Sequence, residues 1–247
     1  MSGLIQLLAP LAGYVLGLEE VPDPVFAQGL AGDGVAIDPT GEVLFAPAAG
    51  TVVLMPAGRH ALTLRMPGAE LLMHVGIDTV QLGDRGFELL VRDGEQVIAG
   101  APLLKFSLDV IARGARSAVT PVVLSPTDGA SITRRITGRV LAPGDFLMEA
   151  VVQARAGSGA GTAPSGAQVL RKSFVAAFSH GLHARPAALI AAALQSLNAE
   201  VTLSVAGRTA NARSTVALMT LGVRQGDVVA VAAAGADAAA VMVALQA

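Results

Sequence analysis

Cysteine is absent from this 247-residue chain. Neither a disulfide framework nor a thiolate metal site is therefore open to it, and a reducing compartment, the cytoplasm, is the expected setting. Tryptophan is also absent, tyrosine occurs once, and aromatics make up 3 % of residues. Single-stranded nucleic acid is held by stacking on aromatic rings and by positive charge. With so few rings and a net charge of −2, no nucleic-acid partner is expected. Lysine occurs only at Lys105 and Lys172, and no glycine-rich loop runs into Lys-Ser or Lys-Thr, so the chain lacks a P-loop for ATP. No basic residue precedes Arg59, which leaves no basic n-region for a secretory signal. Long apolar runs are missing too. Hydrophobic residues reach 53 % and mean hydropathy +0.60, but much of this is alanine, and the charge-free stretch Met1 to Leu18 is broken by Gly3, Pro10, Gly13 and Gly17. A spanning helix needs about 20 mostly apolar residues in a row. No targeting segment and no membrane insertion are expected.

What is present divides in two. Residues 153–168, QARAGSGAGTAPSGAQ, contain no large apolar side chain. Such a stretch cannot bury a core and is expected to be a flexible linker. Its 16 residues would span roughly 20–24 Å on average. The predicted domains are therefore 1–152 and 169–247. Charge is split between them: residues 1–152 carry 10 Lys+Arg against 16 Asp+Glu, a balance of −6, whereas 169–247 carry 6 against 3, a balance of +3. Opposite signs on tethered domains suit intramolecular docking, although ordinary scatter in surface charge gives the same numbers.

The first part comes in short apolar, β-branched bursts punctuated by Gly and Pro, such as EVLFAPAAGTVVLM, RHALTLRM, AELLMHVGI and GRVLAPGDFLMEAVV. Runs of 4–8 such residues read as strands, which points to an all-β sandwich or barrel. The second part alternates. SFVAAFS reads as a strand, ARPAALIAAALQSL as a helix, EVTLSV and RTANAR as a hairpin around Ala206-Gly207. STVALMTLGV reads as a short helix ended by Gly222, DVVAVAA as a strand and ADAAAVMVALQ as a last helix. The order βαββαβα predicts an α+β open-faced sandwich, a small sheet with helices on one face.

The stretch FSHGLHARPAAL, residues 178 to 189, places an ionisable ring and a guanidinium at the start of an apolar helix. Pro186 suits the first turn, where its missing N–H is harmless, so His183 falls at or just before the cap. The amides and partial positive charge of a helix start favour an anion, and Arg185 adds a bidentate donor. A neutral imidazole can accept a phosphoryl group, although a surface histidine near a cap is also common. GLHARPA, the following helix and ARSTVALMTLGVRQGD together resemble the histidine-containing phosphocarrier HPr of the bacterial phosphoenolpyruvate:sugar phosphotransferase system, over about residues 170 to 247. That resemblance implies that His183 carries the phosphoryl group and Arg185 assists, with Arg185 expected to be exposed. It maps the family's serine at the start of the second helix to Ser214, a regulatory kinase target in some bacteria, or simply the N-cap of its helix. His180 matches no active-site position in the family and is expected in a loop.

The first part contains only His60, in RHALTL, and His74, in LLMHVGIDTV. Adjacent antiparallel strands could bring them together. Three chemistries use such a pair: a metal site with Asp78 as third ligand, acid/base hydrolysis, or phosphoryl transfer with one ring accepting and the other stabilising charge. EEVPDPVFAQGLAGDGVAIDPTG, FAPAAGTV, MHVGIDTVQLGDRGF, GEQVIAGAPLLKF and TPVVLS resemble the glucose-type IIA domain of the same system, over nearly all of residues 5–152. The resemblance implies that His74 accepts the phosphoryl group, that His60 is its partner, that Asp78 supports it, and that Phe26 lies in an apolar patch that receives other proteins. Gly58-Arg59 stand where family members often have a threonine, and Arg59 is expected to add phosphate affinity instead. Leu72 and Val75 are expected to be aliphatic members of the patch.

Taken together, the two resemblances imply a fusion that relays phosphate from phospho-enzyme I through His183 to His74 and on to a IIB domain of a sugar permease. Phosphoenolpyruvate is then the ultimate donor, and neither ATP, cofactor nor metal is expected. Fusions of this order often continue into enzyme I, so that partner is expected either separately or fused C-terminally. The alternative is a regulatory module that binds transporters or metabolic enzymes according to its phosphorylation state. A zinc-dependent hydrolase using His60, His74 and Asp78 is a further rival.

Overall fold

The computed structural model describes residues 2–54, 58–125, 129–153, 169–179 and 181–246. The chain divides into two compact units, 1–154 and 155–247. Apart from Gln153, which ends a strand, the expected linker lies outside the described residues, as does His180.

The first unit is built from antiparallel sheets. Eight strands pair in the spatial order Val140–Leu141, Gly13–Leu16, Asp33–Pro39, Thr120–Leu124, Ala69–His74, Ala61–Met66, Gly50–Leu54, Gln96–Val97. Two three-stranded sheets accompany them: Val43–Phe45, Pro102–Phe106, Phe87–Leu89, and Ser2–Leu8, Phe146–Gln153, Ala130–Arg135. The central strand Thr120–Leu124 is buried along its whole length, which is why it reads as an apolar run without alternation. Pro121 is tolerated there because pairing with Ala69–His74 begins one residue later, at Val122. Leu62, Leu64, Leu71, Met73, Leu103 and Leu104 are fully buried in the core. At roughly 25 cal/mol per Å² of buried apolar area, Leu62, Leu64, Leu71 and Met73 fix the register of Ala61–Met66 against Ala69–His74. A one-residue slip would move these side chains to the opposite face of the sheet.

The second unit follows the order expected. Strands Val169–Val175, Val228–Ala234, Glu200–Val205 and Arg208–Asn211 lie side by side in that order, all antiparallel. Helices Ala184–Leu194, Thr215–Thr220 and Ala238–Ala244 complete βαββαβα. Ala184, Ala187, Ala188, Ala191 and Leu194 are buried along one stripe of the first helix, the 3.6-residue period of a packed face. The hairpin turns at Ala206 (φ 49°) and Gly207 (φ 81°), as a two-residue turn with both central residues left-handed requires. The first strand ends at Val175 rather than continuing through Ser179, because the chain there turns into the loop before His183, where Gly181 N donates to Phe178 O (3.0 Å). Among the described residues no helix is long and apolar enough to cross a membrane.

Candidate functional site

In the first unit the site forms where Ala61–Met66 begins, just after His60, and Ala69–His74 ends. Ala61 pairs with His74 across Ala61–Met66 and Ala69–His74, and Val75 N donates to His60 O (2.7 Å). This register sets the rings of His60 and His74 edge to face, centroids 4.9 Å apart and planes at 67°. The Phe26 ring lies 5.5 Å from that of His74, and the Phe87 ring 6.2 Å from that of His60. His60 and His74 are buried, 3 % and 6 % exposed.

The segment after His74 is tied down at several points. Ile77 N donates to Ser117 O (2.8 Å), Arg116 N to Ile77 O (3.0 Å), and the Thr79 hydroxyl to Val75 O (2.9 Å). Between these anchors Gly76 adopts φ 72°, and its carbonyl meets His74 Nδ1 at 2.8 Å. A carbonyl oxygen only accepts, so Nδ1 carries the proton and the lone pair lies on Nε2. Burial lowers the pKa of His74 below its usual 6.5; the Gly76 carbonyl, Asp23, the backbone at His74 and Asp78 each oppose the shift. Desolvation wins because removing an imidazolium from water costs more than these partners return. The result is a neutral ring with one defined nucleophilic nitrogen.

Asp78 is half-buried and adopts a left-handed conformation (φ 60°, ψ 22°) just before the 3-10 turn Thr79–Leu82. Asp23 was not singled out from sequence. It caps the short helix Pro24–Ala27 by accepting from Val25 N (2.9 Å) and is 6 % exposed. Asp followed by Pro at the first helical position is a recognisable start signal, and it also places Phe26 against His74. Phe87 was missed as well, being one aromatic in a strand of three residues.

The expectations for Phe26, Leu72 and Val75 need correction. Phe26 is 2 % exposed, a buried wall of the site rather than a member of an open patch. Leu72 and Val75 are 1 % and 0 % exposed and face the interior, where no other protein reaches them. Arg59 forms an ion pair with Asp84 (3.3 Å). The trio His60, His74 and Asp78 gathers no metal geometry: among the described residues no three His, Cys, Asp or Glu side chains are grouped to hold an ion.

In the second unit His183 is the N-cap of Ala184–Leu194, in an extended conformation (φ −93°, ψ −173°). The first intrahelical bond runs from Ala187 N to His183 O (3.0 Å). Pro186, third in the helix, has no N–H, and the amides of Ala184 and Arg185 precede the helix's own ladder. Arg185 is half-buried rather than exposed, as its place in the first helical turn dictates. Gly181 permits the approach: at φ 76°, a Cβ on it would sit 2.4 Å from Val223 O. Ser214 caps Thr215–Thr220, its hydroxyl accepting from Ala217 N (3.1 Å), and is 8 % exposed.

A family model described as the phosphoenolpyruvate-dependent sugar phosphotransferase system, EIIA 1, matches residues 5–130, and one described as the PTS HPr component phosphorylation site matches residues 170–247. The PTS system glucose-specific EIIA component of Bacillus cereus is 44 % identical over 133 residues, 53 % of this chain and 81 % of that protein. The PTS system glucose-specific EIIBCA component of Corynebacterium glutamicum is 47 % identical over 123 residues, 49 % of this chain. This chain spans only 18 % of that longer relative's length. The glucose permease IIA of Mycoplasma capricolum superposes with a TM-score of 0.56 at 32 % identity, covering 60 % of this chain and 96 % of that structure.

Proposed function

Because this chain belongs to the EIIA 1 family of the phosphoenolpyruvate-dependent sugar phosphotransferase system and carries an HPr component behind it, we propose that it relays one phosphoryl group from His183 to His74. Phosphoryl relay in sugar transport is the activity of its two components. The particular route rests on one observation above all: Nδ1 of His74 is committed to Gly76 O (2.8 Å) in a buried ring, which supports Nε2 as acceptor.

In this route the Nε2 lone pair of His74 forms the new N–P bond as the N–P bond at His183 breaks, and the bonding pair returns to the His183 ring. The proton on His74 Nδ1 stays in place, shared with Gly76 O. The phosphorylated ring is then cationic, and Asp23 and Asp78, whose charges already favour a positive His74, offset that charge. His60, edge to face with His74, stands where it can donate to the phosphoryl oxygens. At the other end, the amides of the helix start and Arg185 hold the charge on phosphorylated His183. Transfer between two phosphoimidazoles is near balanced, so positioning and charge stabilisation are the main tasks. Phe26 and Phe87 keep water from the His60–His74 pair and so slow hydrolytic loss.

Phosphorylated enzyme I is the donor, itself charged by phosphoenolpyruvate. A IIB domain of a sugar permease, working with its IIC domain, is the acceptor. The relay needs neither ATP nor a cofactor of its own, and the cytoplasm is where these partners meet. The two units approach one another for the His183-to-His74 step, with Ser214 serving its helix rather than the transfer.

Labelling with phosphoenolpyruvate and enzyme I tests the route. Wild type is expected to carry acid-labile label in both units, His74→Ala only within 169–247, and His183→Ala none. Strong labelling of His183→Ala would reverse the order of the two histidines.

A further inference from the structure

The loop that presents His183 rests on a second, well-fixed segment. Leu182 N donates to Val223 O (2.9 Å). A Cβ on Gly181 would lie 3.7 Å from Arg224 Cα, so the backbones at Gly181 and Arg224 are in direct contact. Residues 224–227 form a turn closed twice, by Arg224 N on the Asp227 carboxylate (2.8 Å) and by Asp227 N on Arg224 O (3.1 Å). The turn is pinned to the sheet side of the loop through Gly226 N to Ala176 O and Ala176 N to Asp227 O, both 2.9 Å. Arg224 is thus an exposed arginine on a rigid base, its backbone against Gly181, which lies two residues before His183, a span of at most about 7 Å.

The other cations of this unit are placed differently. Arg213 spends its guanidinium on the carbonyls of Gln195, Leu197 and Ala199. Arg171 and Lys172 lie on strand Val169–Val175, Lys172 over the Phe174 ring, and Arg208 opens the strand after the hairpin turn. Among the described residues, Arg224 and Arg185 are the two cations on segments that build or touch the His183 loop. No ion pair among the described residues engages the Arg224 guanidinium.

We propose that Arg224 is a docking residue for the phosphoryl transfers of His183, a second guanidinium that meets carboxylates on the rim of a partner's own phosphorylation site. This deepens the relay and rests on it. The partner chemistry follows from charge. Residues 169–247 carry a balance of +3 and residues 1–152, which hold the acceptor histidine, one of −6, so an acidic surface on a partner of the His183 loop is a feature this system already contains. A rim charge acts mainly on encounter and on its salt dependence, not on the chemical step. A guanidinium on a preorganised turn loses little freedom on contact.

The test uses the full chain as substrate for phosphorylated enzyme I, with wild type, Arg224→Ala, Arg224→Glu and Arg224→Lys compared at low and at physiological salt. Arg224→Ala is expected to raise the KM for the chain roughly threefold to tenfold with kcat unchanged and a flatter salt dependence. Arg224→Glu should raise it further, and Arg224→Lys should restore most of the loss. All four should melt at the same temperature. An alanine variant with wild-type KM, or a loss confined to kcat, overturns the docking role. Failure of the wild type itself to accept label overturns the relay instead, so the two ideas fail separately.

Discussion

At the scale of single residues, the site of the first unit works because one ring is prevented from choosing its tautomer. Burial holds His74 neutral, its pKa lowered mainly by desolvation. In the unfolded chain a histidine titrates near 6.5. Between the lowered folded value and 6.5 the unfolded state therefore binds more protons, and stability falls as pH drops through that window. We expect the stability of the first unit to decline below about pH 6.5, by at most about 1.4 kcal/mol per pH unit for one proton, its melting temperature falling with it, and both to decline less in His74→Gln. Melts at pH 5, 6, 7 and 8 check this; equal slopes in both proteins would refute it. Much of this site is legible in the sequence, since a strand pair with two histidines and a following GIDTV can be read directly. The burial of Phe26, Leu72 and Val75 is not, because a lone apolar residue looks the same whether it lines a wall or a surface. Asp23 escapes notice for a related reason, its role as a cap concealing its field at His74.

At the scale of elements, caps and turns decide the ends that composition leaves open. Ser214 holds Thr215–Thr220 by accepting from Ala217 N. Ser214→Ala should cost about 1 kcal/mol, lowering the melting temperature of a unit of this size by about 4–8 °C. Ser214→Asp, which keeps an acceptor, should cost less, and calorimetry of the two variants separates cap from bulk. The elements of the second unit are readable because each carries its own punctuation: Pro186 in the first turn, Ala206-Gly207 between strands, Gly222 after a helix. The first unit is harder. Its strands are plain as bursts, but which of them pair, and the four-residue helix Pro24–Ala27, depend on contacts far apart in sequence, and local pattern carries no record of those.

At the scale of the whole molecule, residues 1–152 and 169–247 carry opposite charge balances, −6 and +3, on one chain. In the relay proposed above, a step from His183 to His74 within one chain would run at an effective concentration on the order of mM. Its rate in the intact chain should not depend on protein concentration. After cleavage at a protease site placed within 153–168, it should become proportional to concentration and more sensitive to salt. Rapid-quench measurements at several dilutions decide this; a concentration-independent rate in the cleaved protein would mean that the tether is dispensable.

The hydrogen bond from His74 to the Gly76 carbonyl (2.8 Å) has a chemical consequence of its own. In the relay proposed above it dictates regiochemistry: the phosphoramidate on the first unit would be the tele isomer, borne on the nitrogen remote from the β-carbon. That choice is encoded in main chain, not in a side chain that a point substitution could exchange. It survives only while position 76 is glycine, since φ 72° and a Cβ 2.6 Å from Thr79 Cγ2 leave no room for anything larger.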